Sequence, residues 1–232
     1  ALNCPAYKIA SFEIVDLPLI EKAAATGKPL IISTGLATRE EIAEAVEVAR
    51  RGGCDQLALL HCTSGYPTPP EDANLAALAD LAERFETVVG LSDHSLGIAV
   101  PVAAVALGAA IVEKHVTLRR ADGGPDSGFS LEPEELAALV EACRTASSAI
   151  GRAGDELAPS EQPNRAFRRS LYVVEDMKQG DAFTTTNVRS IRPAGGMAPK
   201  NLPSILGCRA ARAIARGTPL DRTLVEATPE TA

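Results

Sequence analysis

The stretch VVGLSDHSLGIAVPVAAVALGAAIVEKHVTL, residues 88–118, decides the fold of this chain. It begins with an apolar, strand-like run, passes through a helical segment and returns to a second strand-like run, which is typical of a parallel βαβ unit. Its longest apolar part, 98–112, is broken by Pro101 and Gly108 and is shorter than the roughly 20 residues of a membrane-spanning helix. We therefore predict a buried helix followed by a buried strand.

The same alternation of short apolar runs and helical patterns extends back to the start of the chain. One predicted helix begins at a capping box, in which Thr38 and Glu41 stand three positions apart. The last predicted helix begins at Pro133 and ends before Gly151. The pattern predicts an α/β fold with a parallel sheet of five strands, at 6–10, 30–33, 57–62, 88–91 and 110–116.

The end of the chain has a different character. Residues 151–169 lose the apolar periodicity and gain proline, glycine and charge, which indicates a linker. Residues 170–232 contain the short strand-like runs 171–174 and 188–191, separated by turn signals. We therefore predict a first domain at 1–150 and a small, β-rich second domain at 170–232.

Composition excludes several classes of protein. A net charge of -7 over 232 residues gives no broad positive field, which argues against nucleic acid or an anionic membrane as the main partner. The five cysteines are scattered and form no CxxC pair, so neither a disulfide framework nor a structural zinc site is indicated. We expect a cytoplasmic protein that meets any anionic substrate with locally placed cations.

Polar side chains stand at the end of every predicted strand. Ligands of parallel α/β sheets bind at the carboxyl ends of the strands, so these side chains predict one concave, hydrated site. In strand order they are Lys8, Ser11 and Glu13; Ser33 and Thr34; His61, Thr63 and Ser64; Ser92, Asp93 and His94; and Glu113, Lys114 and His115.

Two of the three histidines end consecutive strands. His94 and His115 are 21 positions apart (115 − 94), and neighbouring strands would bring their imidazoles within reach of one ion. Neutral imidazole suits Mn, Zn, Co or Fe, and an open coordination sphere could hold a carbonyl oxygen or activate water. The alternative is a pair of histidines that form hydrogen bonds in a polar crevice without metal. The spacing alone leaves both open.

Several charged residues also have two interpretations. Lys8 and Lys114 could pair with phosphate or carboxylate, or form a Schiff base, but they could equally be solvated surface groups. Glu13 and Asp126 could act as acids, bases or hydroxyl-binding groups, or be solvated loop carboxylates. The adjacent arginines 119 and 120 we interpret as a solvated face.

Six motifs occur in a fixed order: YKIASFE at 7–13, STG at 33–35, HCTSGYPTP at 61–69, GLSDHSLG at 90–97, EKHVTL at 113–118 and GGPDSGFSLEPEEL at 123–136. As a set they resemble the N-acylneuraminate synthase family, which includes the sialic, legionaminic and pseudaminic acid synthases. Residues 170–232 resemble the antifreeze-like (SAF) domain of that family. The resemblance therefore covers nearly the whole chain.

The resemblance implies a TIM-type (β/α)8 barrel followed by the SAF domain. Because the pattern gives five strands, the first three βα units of such a barrel would be lacking, and a chain that begins with Ala rather than Met fits a start inside a longer gene product. Open sheet edges expose unpaired backbone groups. We therefore expect residues 1–232 alone to be aggregation-prone and inactive, and an upstream extension to restore turnover.

The resemblance also assigns roles to residues. It implies a divalent metal, usually Mn or Mg, held by His94 and His115. The implied catalytic residues are Glu13, His94, His115 and Asp126. The implied substrate-binding residues are Lys8 and Ser11 for phosphoenolpyruvate, with Thr63, Ser64, Tyr66, Ser92, Asp126 and Arg192. Arg192 would reach the active site of a partner subunit, in a homodimer with exchanged SAF domains.

The implied reaction joins phosphoenolpyruvate to an N-acetylated amino-sugar aldehyde and gives a nonulosonic acid plus phosphate. The segments ASFEIVDLPLIE and GGPDSGFSLEPEEL favour the pseudaminic acid branch. The alternatives are an N-acetylneuraminate or legionaminate synthase, a Schiff-base pyruvate aldolase that uses Lys8 or Lys114, and a sugar-binding module without enzymatic activity.

Overall fold

The computed structural model describes residues 3–226, which form two compact units. The first unit ends at Arg152 and the second begins at Ala153. No helix in this range is long and apolar enough to cross a membrane.

The first unit is built on a five-stranded parallel sheet. The strands are β1 (Tyr7–Ile9), β2 (Leu30–Ser33), β3 (Leu57–Cys62), β4 (Val88–Asp93) and β5 (Ile111–Lys114). They pair in chain order, from β1 at one edge to β5 at the other. The predicted parallel sheet of five strands is thus confirmed, and the carboxyl ends of all five strands lie at the same edge of it.

Helices follow each strand and cover one face of this sheet. They are α1 (Leu17–Ala24), α2 (Arg39–Arg51), α3 (Ala77–Phe85), α4 (Ala99–Ala106) and α5 (Pro133–Ile150). The predicted capping box is present at the start of α2, because Thr38 Oγ1 accepts from Glu41 N and Glu41 Oε2 accepts from Thr38 N. The core between sheet and helices contains fully buried side chains such as Ile20, Ile32 and Leu59.

The sheet is curled into a half-barrel. The outer strands of a flat five-stranded sheet lie about 19 Å apart, at about 4.8 Å for each of four spacings. Here Lys8 Nζ on β1 lies only 3.5 Å from Glu113 Oε1 on β5, which requires the two edges to turn towards each other. Close approach is also visible at Gly90 of β4, where a Cβ would lie 2.8 Å from Ile111 Cβ. The curl produces a concave face opposite the helices.

The segment that was expected to be fully buried is only partly so. In α4, Pro101 and Ala104 are buried, whereas Leu107 after the helix is 57% exposed. All four residues of β5 are half-buried. The prediction of a buried helix and strand is wrong to this extent, because β5 is an edge strand that pairs with β4 alone among the described strands.

The second unit has its own small core. It contains an antiparallel pair, β6 (Ser170–Val173) and β7 (Val188–Ile191), and the short helix α6 (Leu202–Ile205). Isolated bridges add further extended segments, and Leu171, Phe183 and other apolar side chains are buried among them. The stretch Pro159–Phe167, which lies within the predicted linker, forms a 3-10 helix.

Candidate active site

Ser11, Gly35, Cys62 and Ser64 meet at the carboxyl ends of β1, β2 and β3, and we call this group the serine cradle. Gly35 N donates to Ser11 Oγ at 3.0 Å. A Cβ on Gly35 would lie 2.7 Å from Ser11 Oγ and 3.1 Å from Cys62 Sγ, and would also overlap Ser64 Oγ. Only glycine leaves space for all three side chains. The cradle presents two hydroxyls and a thiol to one small volume.

Cys62 links the cradle to His94. Its Sγ lies 3.9 Å from His94 Nδ1 and 3.8 Å from Ser64 Oγ. Burial alone would raise the pKa of the Cys62 thiol, but hydrogen bonds with His94, Ser11 and Ser64 outweigh it, so the pKa lies below its ordinary value. Burial opposes the charged form of His94 as well, yet its contacts with Cys62 raise the pKa of that imidazole overall.

The His94 ring is fixed from several sides. Its Nδ1 lies 3.2 Å from Thr63 O, and its own carbonyl accepts from Thr68 N at 3.1 Å. The Tyr66 ring lies 4.4 Å away between ring centroids. A proton on Nδ1 that is donated to the Thr63 carbonyl leaves the lone pair on Nε2. The His94 side chain is therefore prepared to accept or ligate through Nε2.

His115 lies beside His94. The two ring centroids are 5.2 Å apart, and His115 Nδ1 is 3.6 Å from Asp126 Oδ2. Phe129, which is buried, packs against His115 at 5.0 Å and against His94 at 6.3 Å. The loop that carries Asp126 and Phe129 thus closes over the imidazole pair.

The imidazole pair fits a divalent transition metal as a partial ligand set. Two nitrogen donors at this spacing suit a first-row ion that keeps open positions for substrate or water. Residues 3–226 contain no group of three His, Cys, Asp or Glu side chains arranged to hold an ion. Within residues 3–226, His94 and His115 are the side chains that could contribute nitrogen donors to such a partial set.

Lys8, Ser92 and Glu113 form a polar group on the concave face. Ser92 Oγ donates to Glu113 Oε1 at 2.7 Å, and Lys8 Nζ lies 3.5 Å from the same oxygen. Lys8 Nζ also donates to Ile9 O at 3.0 Å, and its side chain is 30% exposed. A lysine in this position can still pair with an anion that enters the concave face.

Lys114 belongs to the opposite face of the sheet. Its side chain is 2% exposed, and its Nζ donates to Asp93 Oδ2 at 2.6 Å. It lines a cavity of about 730 Å³ with Val105 of α4 and Leu139 of α5. Lys114 is therefore an internal ion-pair partner and lies outside the concave site.

The sequence falls into two parts that match known family models. Residues 1–155 match the NeuB family, and residues 168–226 match the SAF domain. The chain belongs to the NeuB family. The resemblance that the six motifs indicated is thereby confirmed.

The relatives of this NeuB-family chain include named synthases. The chain is 43% identical over 227 residues to pseudaminic acid synthase of Helicobacter pylori, and the match covers 97% of this chain and 67% of that protein. It is 45% identical over 215 residues to pseudaminic acid synthase of Campylobacter jejuni, and this match covers 93% of this chain and 63% of that protein. The chain thus spans about two thirds of the length of these relatives.

A solved structure has a similar fold. The crystal structure of N-acetylneuraminic acid (sialic acid) synthetase from Leptospira borgpetersenii, in complex with citrate, is 41% identical and superposes with a TM-score of 0.66. The match covers 70% of this chain and 56% of that one.

Most of the residues that the sequence proposed for the NeuB site come together. The carboxyl ends of the strands bring into one region Lys8, Ser11, Thr63, Ser64, Tyr66, Ser92, His94, His115 and Asp126. Glu13 follows Ser11 in a 3-10 turn and is exposed. Arg192 lies in the second unit, is exposed, and shares a cavity of about 470 Å³ with Arg168 and Arg169.

Sequence reasoning missed Cys62 and Phe129. A signal for Cys62 existed, because it follows Ala58 and Leu60 at every second position of β3 and so faces the concave side. Phe129 had no comparable signal, since its burial depends on how its loop folds.

The Arg120 side chain is 39% exposed, which fits the interpretation as a solvated face, but it also makes contacts that the sequence did not indicate. Its guanidinium donates to both carboxylate oxygens of Glu135 and, at 3.1 Å, to Ser130 O. Its backbone N–H donates to Glu132 Oε1 at 2.8 Å. Arg120 therefore ties the two ends of the loop that carries Asp126. Arg119 pairs with the exposed Asp122 and fits the original interpretation.

Proposed function

We propose that the whole protein is a pseudaminic acid synthase-like enzyme, which condenses phosphoenolpyruvate with an N-acetylated amino-sugar aldehyde to give a nonulosonic acid and phosphate. One observation carries the proposal: the serine cradle, the Lys8–Glu113 pair and the two imidazoles converge at one end of a curled parallel sheet. The identity to two pseudaminic acid synthases supports the choice of branch.

In this proposal, phosphoenolpyruvate binds to Lys8 and the cradle. Lys8 supplies a positive charge that phosphate or carboxylate can pair with. Ser11 supplies a hydroxyl whose position is fixed by Gly35 N. The remaining cradle hydroxyl, on Ser64, adds a donor, and Thr63, whose own hydroxyl donates to Asp72 O at 3.0 Å, lines the site beside it. Lys8 and these hydroxyl donors would give an anionic substrate a local binding point on a chain whose net charge is -7.

The amino-sugar lies, in the same proposal, on the side of the imidazoles. Asp126 and Glu13 accept hydrogen bonds from sugar hydroxyl or amide groups, and Ser92 contributes a hydroxyl held by Glu113. Tyr66, whose ring centroid lies 4.4 Å from that of His94 and 6.3 Å from that of His115, gives an aromatic wall for the sugar. The cradle and the imidazoles then hold the two substrates next to each other.

His94 and His115 would hold a divalent ion, Mn²⁺ or Mg²⁺, which when bound polarises the aldehyde oxygen. C3 of phosphoenolpyruvate forms a bond to the aldehyde carbon, whose oxygen takes a proton and becomes a hydroxyl. Water adds to C2 of the resulting oxocarbenium-like centre and loses a proton. Phosphate then leaves with the bridging oxygen as the bond from C2 to that oxygen breaks, and the C2 hydroxyl derived from water gives its proton to the departing phosphate and becomes the keto group.

Two experiments separate this proposal from the alternatives. Under the synthase proposal a chelator abolishes turnover and added metal restores it, whereas a Schiff-base aldolase would be trapped by borohydride with pyruvate. Lys114 does not suit a Schiff base because it is buried against Asp93, which leaves Lys8 as the residue to trap. A sugar-binding module without activity would bind sugar through residues 170–232 alone in titration calorimetry.

We also propose a first domain at 1–150, a linker at 151–169 and a second domain at 170–232. In addition, we propose a homodimer in which Arg192 of one subunit acts at the active site of the other. A linker of about 19 residues is long enough to carry the small domain away from its own barrel domain. Mixing an Arg192→Ala subunit with a His115→Ala subunit should restore part of the activity through one intact composite site. Absence of rescue would place Arg192 within its own chain.

We further propose that the complete catalytic domain is an eight-stranded barrel in the cytoplasm. The half-barrel has two open edges, β1 and β5, which a closed barrel would pair. The five cysteines are free, as in a reducing compartment. Residues 1–232 alone should aggregate and show no turnover, while an upstream extension of roughly 100 residues should restore both. A monodisperse, active preparation of 1–232 would contradict the eight-stranded barrel.

A further inference from the structure

The ion pair between Asp93 and Lys114 is the most deeply buried charge pair among the described residues. The two side chains are 3% and 2% exposed, whereas the other ion-pair partners in this range are at least 30% exposed. Replacement of a buried ion pair by well-packed apolar residues of similar volume is often neutral or stabilising. The fold alone therefore does not explain why two charges are placed here.

The contacts of this pair enclose His94. Asp93 Oδ1 accepts from Ser95 N at 3.0 Å, and Asp93 Oδ2 accepts from Lys114 Nζ at 2.6 Å. Lys114 Nζ donates in addition to Ser95 O. The Lys114 ammonium thus holds the Asp93 carboxylate and the Ser95 carbonyl, and the Asp93 carboxylate in turn holds the Ser95 N–H. Lys114 itself directly precedes His115, so the same group lies at the base of both imidazole-bearing strand ends.

The pair acts from behind the sheet. Asp93 has the same parity along β4 as the core residues Val89 and Leu91, and so faces the helices. Ser92, one position earlier, faces the concave side and bonds to Glu113. The charged groups of Asp93 and Lys114 therefore lie on the helix side of the sheet, and their hydrogen bonds next to His94 go to the backbone of Ser95.

We propose that Asp93 and Lys114 are positioning residues, which fix the backbone on both sides of His94 so that its Nδ1 remains on the Thr63 carbonyl and its Nε2 faces the concave site. The inference rests on the proposed function only in naming that nitrogen as a metal ligand. Outer-shell partners of ligating histidines set ring orientation, and their loss weakens metal binding by roughly 10- to 100-fold.

The test uses Asp93→Asn, Lys114→Met and the double variant of the full protein. Each single variant should bind Mn²⁺ at least about 10-fold more weakly in titration calorimetry, and should also lower the thermal midpoint because one buried charge loses its partner. The double variant removes both charges, so its midpoint should return towards that of the wild type. Its Mn²⁺ affinity should stay low. If the double variant regains affinity together with stability, the pair is merely structural and the inference fails.

A control variant and a metal-free readout complete the test. Leu59→Ala opens a cavity in the helix-side core and should lower the midpoint without changing Mn²⁺ affinity. Imidazole ¹⁵N spectra without metal should show His94 protonated on Nδ1 in the wild type and in Leu59→Ala, and a mixture of tautomers in Lys114→Met. An unchanged His94 tautomer in Lys114→Met overturns the inference. If the wild type binds no Mn²⁺, the metal assignment fails, while the spectra still decide the role of the pair.

Discussion

Replacement of Gly35 by alanine is the sharpest perturbation of the serine cradle. The added Cβ would lie 2.7 Å from Ser11 Oγ and 3.1 Å from Cys62 Sγ, and would overlap Ser64 Oγ as well. Such overpacking costs about 1–3 kcal/mol. A weakened bond from Gly35 N to Ser11 Oγ adds about 1 kcal/mol, and the smaller entropy of the unfolded alanine chain returns about 0.4–1 kcal/mol. We expect a net loss of about 1–3 kcal/mol in the free energy of unfolding of the first unit.

The same variant should weaken phosphoenolpyruvate binding, because Ser11 and Ser64 must move to admit the methyl group. Titration calorimetry should give a Kd at least about tenfold higher, equivalent to about 1.4 kcal/mol. Adding Ser64→Gly removes one overlap and should recover stability but not affinity. Gly154→Ala is the control, because a Cβ added at Gly154 would have no atom within 4 Å. The stability of this control variant should not fall. Wild-type affinity in Gly35→Ala would refute the role of the cradle.

Two further predictions concern His94 and the loop closed by Arg120. His94→Ala should lower the Mn²⁺ content in elemental analysis to near background. His61→Ala is the control and should keep its Mn²⁺, because the Nε2 of His61 contacts Ala73 O at 2.8 Å. Unchanged Mn²⁺ content in His94→Ala would refute the assignment of His94 as a metal ligand. Hydrogen bonds from the Arg120 guanidinium and from the backbone N–H of Glu132 hold the pKa of Glu135 at about 2. The stability from this pair is present above the unfolded pKa of about 4.3 and is lost as the pH falls towards about 2. In Arg120→Gln the NMR titration of Glu135 should move up towards its ordinary value; no movement would mean that Arg120 does not set it.

The sheet was predictable because its signals are local. The length and burial of an apolar strand such as Leu57–Cys62 follow from its own residues. The cap of α2 depends on two residues only, Thr38 and Glu41. The burial of β5 was not predictable in the same way, because it depends on a neighbouring strand on its outer side. An apolar sequence alone does not say whether that neighbour is present.

The site was predictable in its residue types and less so in their directions. Polar strand ends located the concave face, but adjacent residues such as Glu113 and Lys114 point to opposite faces. The alternation that starts at Val112 would have assigned Lys114 to the helix side and removed it as a nucleophile. The role of Arg120 arises from contacts 10 to 15 positions away, which no local pattern encodes.

The reaction itself is the most direct test of the proposed function. The complete gene product should be incubated with metal, a sugar panel and phosphoenolpyruvate that carries ¹⁸O in the C–O–P bridge, and the products analysed by mass spectrometry. We predict that a 2,4-diacetamido-2,4,6-trideoxyhexose is converted to a nonulosonic acid, that N-acetylmannosamine is ignored, and that the ¹⁸O leaves with phosphate. A preference for N-acetylmannosamine would contradict the branch, and ¹⁸O retained in the sugar acid, or the absence of any condensation product, would contradict the reaction.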